Sequence, residues 1–303
     1  MAYSTINKST DYFNTKLYTG NGGTNAVTGV GFQPDWSWIK NRSGSDNHAL
    51  YDAVRGVNKI LSSNNTNAEA TQSDGLTAFG TDGFTVGASG SVNTNGNNFV
   101  SWHWKAGGSS SANTDGTINS TVSVNTTAGF SIVTWAGTNA QATIGHGLGV
   151  APSLIIVKNR TSTVNWLAYF KPLGANKYLE FNLTNGSGTS NTEWGNTEPT
   201  STVFTVGNTG STNTSGANYV AYCFAEKTGF SKVGNYIGNS NADGPFVYTG
   251  FAVKFVLLKK DGGDGWWLVD DKQANPYPNP NAQMIVSNTG AGDNTSVSPF
   301  IDI

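Results

Sequence analysis

Hydrophobic and polar positions alternate in short runs along this chain, and the same runs return in the same order. Phe84-Thr-Val-Gly87, a polar stretch and Phe99-Val-Ser-Trp102 return as Phe204-Thr-Val-Gly207, a polar stretch and Tyr219-Val-Ala-Tyr222. Pro34-Asp-Trp-Ser-Trp-Ile-Lys-Asn-Arg42 returns as Pro152-Ser-Leu-Ile-Ile-Val-Lys-Asn-Arg160, and more weakly as Val253-Lys-Phe-Val-Leu-Leu-Lys259. A period of two marks strands. A repeat spacing of roughly 100 to 120 residues has the size of a domain, not of a solenoid unit. The pattern predicts an all-β chain of tandem antiparallel β-sandwich modules, jelly-roll-like, the third of them incomplete.

Each module opens with an aromatic residue, a short alternating run, a second aromatic and a glycine. These are Phe13-Asn-Thr-Lys-Leu-Tyr-Thr-Gly20, Phe130-Ser-Ile-Val-Thr-Trp-Ala-Gly137 and Phe230-Ser-Lys-Val-Gly-Asn-Tyr-Ile-Gly238, so Tyr18, Trp135 and Tyr236 share one position. The next strand aligns Trp36 with Leu154 and Phe255. A third aligns His48-Ala-Leu-Tyr-Asp52 with Trp166-Leu-Ala-Tyr-Phe170 and Trp267-Leu-Val-Asp-Asp271, and a fourth aligns Leu61, Leu179 and Ile285. The Phe84 and Phe99 strands close the module, and the connection 88–98 is expected to protrude as a loop.

The expected organisation is an N-terminal arm (1–12), module one (13–107), a flexible Gly/Ser linker (108–117), module two (118–228) and module three (229–303), which lacks its final hairpin. An unfinished sandwich leaves a strand edge unpaired, so either the chain continues past Ile303, the favoured reading, or another subunit supplies the strands. A rod hinged at the linker is the expected shape.

Composition fits this class: charged residues make up 12% of the chain, and Gly numbers 38 against 2 Met, so the usual helix formers are scarce. A net charge of -2, with 17 basic residues scattered along the chain, gives no electrostatic hold on nucleic acid or an anionic membrane. No run has the length of a membrane helix, and the start lacks the basic-then-apolar order of a signal peptide. Synthesis in a cytoplasm is expected. The single cysteine, Cys223, cannot form an internal disulfide and is expected in the core.

Candidate chemistry is sparse. His48, His103 and His146 have no counterparts in the repeats; Trp166 and Cys223 stand opposite the first two. His146 lies in Ile144-Gly-His-Gly-Leu-Gly149, whose glycine spacing opens no helix and so makes no phosphate loop. Asp261 and Asp264, in Asp261-Gly-Gly-Asp-Gly265, could supply oxygen ligands to Ca2+, although Asp and Gly equally suit a turn. Glu180, Glu193 and Glu198 show no pairing of the kind a glycosidase requires, and no enzyme activity is expected. Trp194 and Trp266 are candidate ligand-binding residues: in the doublet Trp266-Trp267 the two rings face opposite ways, and with Trp267 matched to Trp166, Trp266 would face outward and could stack on a sugar.

The opening Met-Ala-Tyr-Ser-Thr-Ile-Asn-Lys-Ser-Thr-Asp-Tyr-Phe-Asn-Thr-Lys-Leu-Tyr-Thr-Gly20 resembles the start of structural proteins of marine tailed bacteriophages. Gly31-Phe-Gln-Pro-Asp-Trp-Ser-Trp-Ile-Lys-Asn-Arg42, Tyr51-Asp-Ala-Val-Arg-Gly56, Asp82-Gly-Phe-Thr-Val-Gly87 and Tyr222-Cys-Phe-Ala-Glu-Lys227 belong to the same recurring pattern. The resemblance implies a non-enzymatic virion-surface protein made in a bacterial host, such as a tail fibre or capsid-attached fibre. It would assemble with copies of itself, as a trimer or another symmetric oligomer, and with other virion proteins, and would contact the host surface, including its glycans. A lectin-like carbohydrate-binding protein is the alternative expectation.

Overall fold

The computed structural model describes residues 4–241, 243–273 and 284–293. Its regular structure is almost wholly short antiparallel strands. Module one has a four-stranded sheet in the order Phe13–Thr19, Asn98–Trp104, Trp36–Asn41, Ala49–Asp52. A three-stranded sheet of Asn25–Thr28, Gly83–Val86 and Leu76–Gly80 faces it, and Val27, Phe32, Ile39, Tyr51, Phe84 and Phe99 fill the space between.

Module two repeats this with Phe130–Ala136, Asn218–Phe224, Leu154–Asn159, Leu167–Phe170 and Lys177–Glu180 in one sheet, faced by Ala142–Gly145 and Val203–Val206. The registers coincide: Trp104 lies opposite both Phe13 and Trp36, as Phe224 lies opposite both Phe130 and Leu154. Side-chain geometry is copied as well. Tyr18 stacks on Phe99 at 5.0 Å and meets Phe84 edge-on at 5.8 Å; Trp135 stacks on Tyr219 at 5.2 Å and meets Phe204 edge-on at 5.8 Å.

Among the described residues the third module contributes one sheet, Phe255–Lys259, Trp266–Asp270 and Ile285–Val286. Phe255 lies opposite Asp270 as Trp36 lies opposite Asp52, so Trp266, not Trp267, is the counterpart of Trp166 and His48. The one-residue slip in the sequence alignment moved the doublet to the wrong faces, as any register shift does in a strand.

The expected rod does not form. The faces of the main sheets turned away from each module's own sandwich meet in one shared core, with Trp36, Trp38 and Trp102 from module one, Ile132, Ile156 and Tyr222 from module two, and Trp266, Leu268 and Ile285 from module three. Trp36 stacks on Tyr222 at 4.1 Å, and Phe13 lies 5.3 Å from Phe255. A buried aromatic side chain covers about 150–250 Å², and a rod would leave this whole face in water. Every residue of Trp36–Asn41 is buried because the sheet has a core on each side, which also explains unbroken apolar runs such as Leu154-Ile-Ile-Val157.

Two smaller expectations also give way. The supposed linker holds a strand, Ser111–Asn113, that pairs with Ser120–Asn125 at the edge of the second module's sheet. The connection 88–98 folds inward around the short helix Gly90–Asn93, whose Asn93 amide donates to the carbonyls of Gly23 and Gly87; Asn213 plays the same part toward Ala140 in module two. Those backbone acceptors hold the loop down.

Module one carries a buried polar trio where module two is apolar. His103 Nδ1 lies 3.0 Å from Ser37 Oγ and its Nε2 lies 2.8 Å from Ser101 Oγ, all three residues being wholly buried. By register their counterparts are Cys223, Ile155 and Ala221. Burial pushes the His103 pKa down to about 3. The unfolded chain, with its ordinary value near 6.5, therefore binds a proton that the fold refuses between those two values, and stability falls as pH drops through that window. The combined change Ser37→Ile, Ser101→Ala and His103→Cys should keep the fold and lessen the acid dependence by about 1.4 kcal/mol per pH unit between pH 4 and 6, measured by urea denaturation at several pH values.

Candidate functional site: three repeated junctions

A second set of polar groups of the main sheets lies at the seams between modules, and each seam uses the same positions. Trp166 Nε1 of module two donates to the Ser62 carbonyl of module one (2.9 Å), and Trp266 Nε1 of module three donates to the Glu180 carbonyl of module two (3.1 Å). His48 Nε2 of module one lies 3.3 Å from the Val286 carbonyl of module three. Ser62, Glu180 and Val286 each follow the residue that pairs with the third strand: Leu61 with Leu50, Leu179 with Ala168, Ile285 with Leu268. The contacts run from two to one, from three to two and from one to three. They close a ring, and the modules are arranged about an approximate threefold axis.

Lysines follow the same cycle four residues further along each acceptor loop. Lys158 Nζ donates to the Thr66 carbonyl, Lys259 Nζ to the Thr184 carbonyl and Lys40 Nζ to the Gly290 carbonyl, at 3.0, 2.8 and 3.0 Å. Each lysine also binds carbonyls of its own loop. Burial pushes the Lys40 and Lys158 ammonium groups down to about 8 and lowers that of Lys259. A value near 8 leaves Lys40 and Lys158 mainly charged at neutral pH, and all three lysines donate to two or more carbonyls where a bare ammonium would be expelled.

A third layer is ionic. Arg160 Nε donates to Glu69 at 2.9 Å between modules two and one, and Arg42 Nε donates to Asp293 at 2.7 Å between modules one and three. At the remaining seam the chemistry is inverted: Asp261, the counterpart of these arginines, accepts the Ser187 amide at 2.9 Å. Glu69 also pairs with the buried Arg55 of its own module. Burial alone would raise the Glu69 carboxyl, but Arg160 and Arg55 outweigh it and hold the group below its ordinary value.

An aromatic-to-acid contact completes the set. Tyr222 Oη of module two donates to Asp52 of module one at 2.8 Å, and Trp102 Nε1 of module one donates to Asp270 of module three at 2.8 Å. In both turns the acid also holds the side chain three residues on, Arg55 or Gln273. The third counterpart of Asp52 and Asp270 is Phe170.

The residues singled out from sequence take other roles. Trp194 is buried in the core of module two, 5.9 Å from Tyr169, and Trp266 is 4% exposed in the shared core. Neither presents a face to a sugar. Asp261 and Asp264 lie in the turn that meets module two: Ser187 hydrogen bonds hold the Asp261 carboxyl low, while Asp264 accepts the Gly265 amide and its own amide donates to the Thr184 carbonyl. Among the described residues no group of three or more His, Cys, Asp or Glu is arranged to hold a metal ion. His146 caps a loop of its own module, 3.2 Å from the Thr200 carbonyl, and Cys223 is buried with its thiol pushed up by burial. The junction residues were hidden in plain view. Lys40/Lys158/Lys259 and Arg42/Arg160 recur in the repeat, yet recurrence alone does not say that a side chain reaches the neighbouring copy.

The family described as a domain of unknown function, DUF7483, matches residues 8–303. The chain belongs to this family. Searches of curated proteins and of solved structures return no match. The family span takes in all three modules, as the closed ring requires. No helix among the described residues is long and apolar enough to cross a membrane.

Two outcomes test these assignments. Glu69→Gln takes the carboxylate from Arg160 and leaves Arg55 with Asp52 alone, and should destabilise the chain by about 1–3 kcal/mol, whereas Asp11→Asn in the exposed Lys8–Asp11 pair should change it by less than about 0.5 kcal/mol in the same urea titration. Trp194→Ala should lower stability by about 3–5 kcal/mol, the cost of emptying a core aromatic site. It should do so without any selective change in glycan-array signal.

Proposed function

We propose that the chain is a non-enzymatic structural protein of a tailed-bacteriophage virion, a tail fibre or a capsid-attached fibre or decoration protein. It would project from the particle, mediate assembly contacts and meet the host surface. The sequence resemblance supplies the biological setting. The observation that carries the reading is the closed ring of junctions, in which lysines, arginines and acids of the repeats, buried or half-buried, bind the neighbouring module. Charged groups spent in this way serve rigidity. Three sandwich-derived units locked about one axis make a compact, blunt body suited to bearing load on a particle surface, and its approximate threefold form suits a threefold assembly site.

The carbohydrate-binding alternative rested on exposed indoles at Trp194 and Trp266, and both are buried. Purified particles imaged with an antibody against this chain test the proposal. Labelling at a fixed position on the virion is expected, with the protein copurifying through a density gradient; particles that carry none of it, while the chain remains free in the lysate, would contradict the proposal.

A further inference from the structure

Modules one and two are each closed by a strand lying between the opening strand and the Trp36-type strand, Asn98–Trp104 in one and Asn218–Phe224 in the other. In module three, Phe255–Lys259 pairs on one side with Trp266–Asp270, and its other edge carries no strand among the described residues. The amides of Arg42 and Arg160 donate to the carbonyls of Asn98 and Asn218. Because ladder amides alternate in direction, those of Phe255, Leu257 and Lys259 are the ones turned to this open edge.

Two further observations converge on the same place. Residues 230–238 keep the opening pattern of modules one and two but form no strand, and Tyr236 and Ile237 are 52% and 87% exposed, as are Phe246 (90%) and Tyr248 (70%) further on. Among the described strands the opening strand of module one pairs with the closing strand alone, so an opening segment without that partner has no ladder of this kind to join. Across the seam, the closing strand of each module packs on the module before it, Tyr222 on Trp36 and Asp52, and Trp102 on Phe255 and Asp270. The equivalent wall for a third closing strand is Leu154, Phe170 and Leu173. These three are only partly buried, whereas Trp36, Asp52 and Arg55 are at most 8% exposed.

We infer that the open edge of Phe255–Lys259 is a docking site for one extended peptide segment with the closing-strand alternation, Asn-aromatic-Val-x-apolar-x-aromatic, running antiparallel to it. Its fifth residue faces Phe170 and Leu173, where the other seams have an acid beside Arg55 or Gln273. The site therefore selects Phe or Leu at that position and disfavours the hydroxyl of Tyr, which would lack an acceptor. Main-chain bonds to Phe255, Leu257 and Lys259 supply affinity and the alternating pockets supply register, as in β-augmentation generally. The inference stands apart from the proposed virion role.

The test uses the full chain and a lysine-flanked synthetic peptide of the Asn218–Phe224 sequence carrying Tyr222→Phe and Cys223→Ser, followed by fluorescence anisotropy and hydrogen exchange. Saturable binding is expected, with exchange slowed at 255–259 and 230–238. The peptide that keeps Tyr222 should bind about tenfold more weakly, since its hydroxyl would be buried without a hydrogen-bond partner. Phe170→Asp in the protein should reverse that preference, a change that general loosening of the fold would not produce. Absence of saturable binding to a chain folded by circular dichroism, equal affinity for the Phe and Tyr peptides, or protection elsewhere would overturn the inference. So would self-association of the chain that the peptide fails to compete away, because a second copy would then be the occupant.

Discussion

The shared aromatic core is the constraint on which everything else depends. Trp36, Trp38, Trp102, Tyr222 and Trp266 belong to three modules yet occupy one continuous buried cluster. The main sheets of modules one and two therefore have two apolar faces, one for their own sandwich and one for the axis. A sheet with two apolar faces cannot stand alone in water. The modules are thus obligate neighbours, and the polar layers at the seams are arranged around a contact that hydrophobic burial has already made necessary.

Those polar layers add specificity. Hydrophobic cores tolerate sliding and repacking, whereas a ring N–H, an ammonium and a guanidinium that must each find a carbonyl or carboxylate in the next module define a single register. The positions recur three times, but their chemistry drifts: Trp, Trp and His at the ring position, and Arg, Arg and Asp at the ionic one. The geometry has been kept while the side chains diverged. The seam between modules two and three has lost both its arginine and its acid-to-aromatic contact, and it is the seam whose closing strand is not among the described strands.

Much of the fold was legible in the sequence. The all-β class, the equivalence of Tyr18 with Trp135, and the match of Trp36 with Leu154 and Phe255 follow from period-two alternation and repeated order. The arrangement of modules was not legible, because alternation reports that a face is apolar and not what covers it. Trp38 and Ile156 look like ordinary core positions whether they face a sandwich interior or a common axis. The roles of Trp194 and Trp266 failed for a related reason: a lone tryptophan carries no direction, and a one-residue slip in aligning Trp266-Trp267 exchanged the inward and outward rings. Lys40 and Lys158 sit in apolar strands, a signal of buried function that a reading based on charge runs passes over.

Closure of the three modules about one axis is the central claim, and small-angle X-ray scattering of the monomeric chain tests it most directly. A compact particle of this length has a radius of gyration of about 19 Å, and the closed ring predicts a value near that with a bell-shaped distance distribution. The skewed, elongated distribution of sandwiches laid end to end would contradict it.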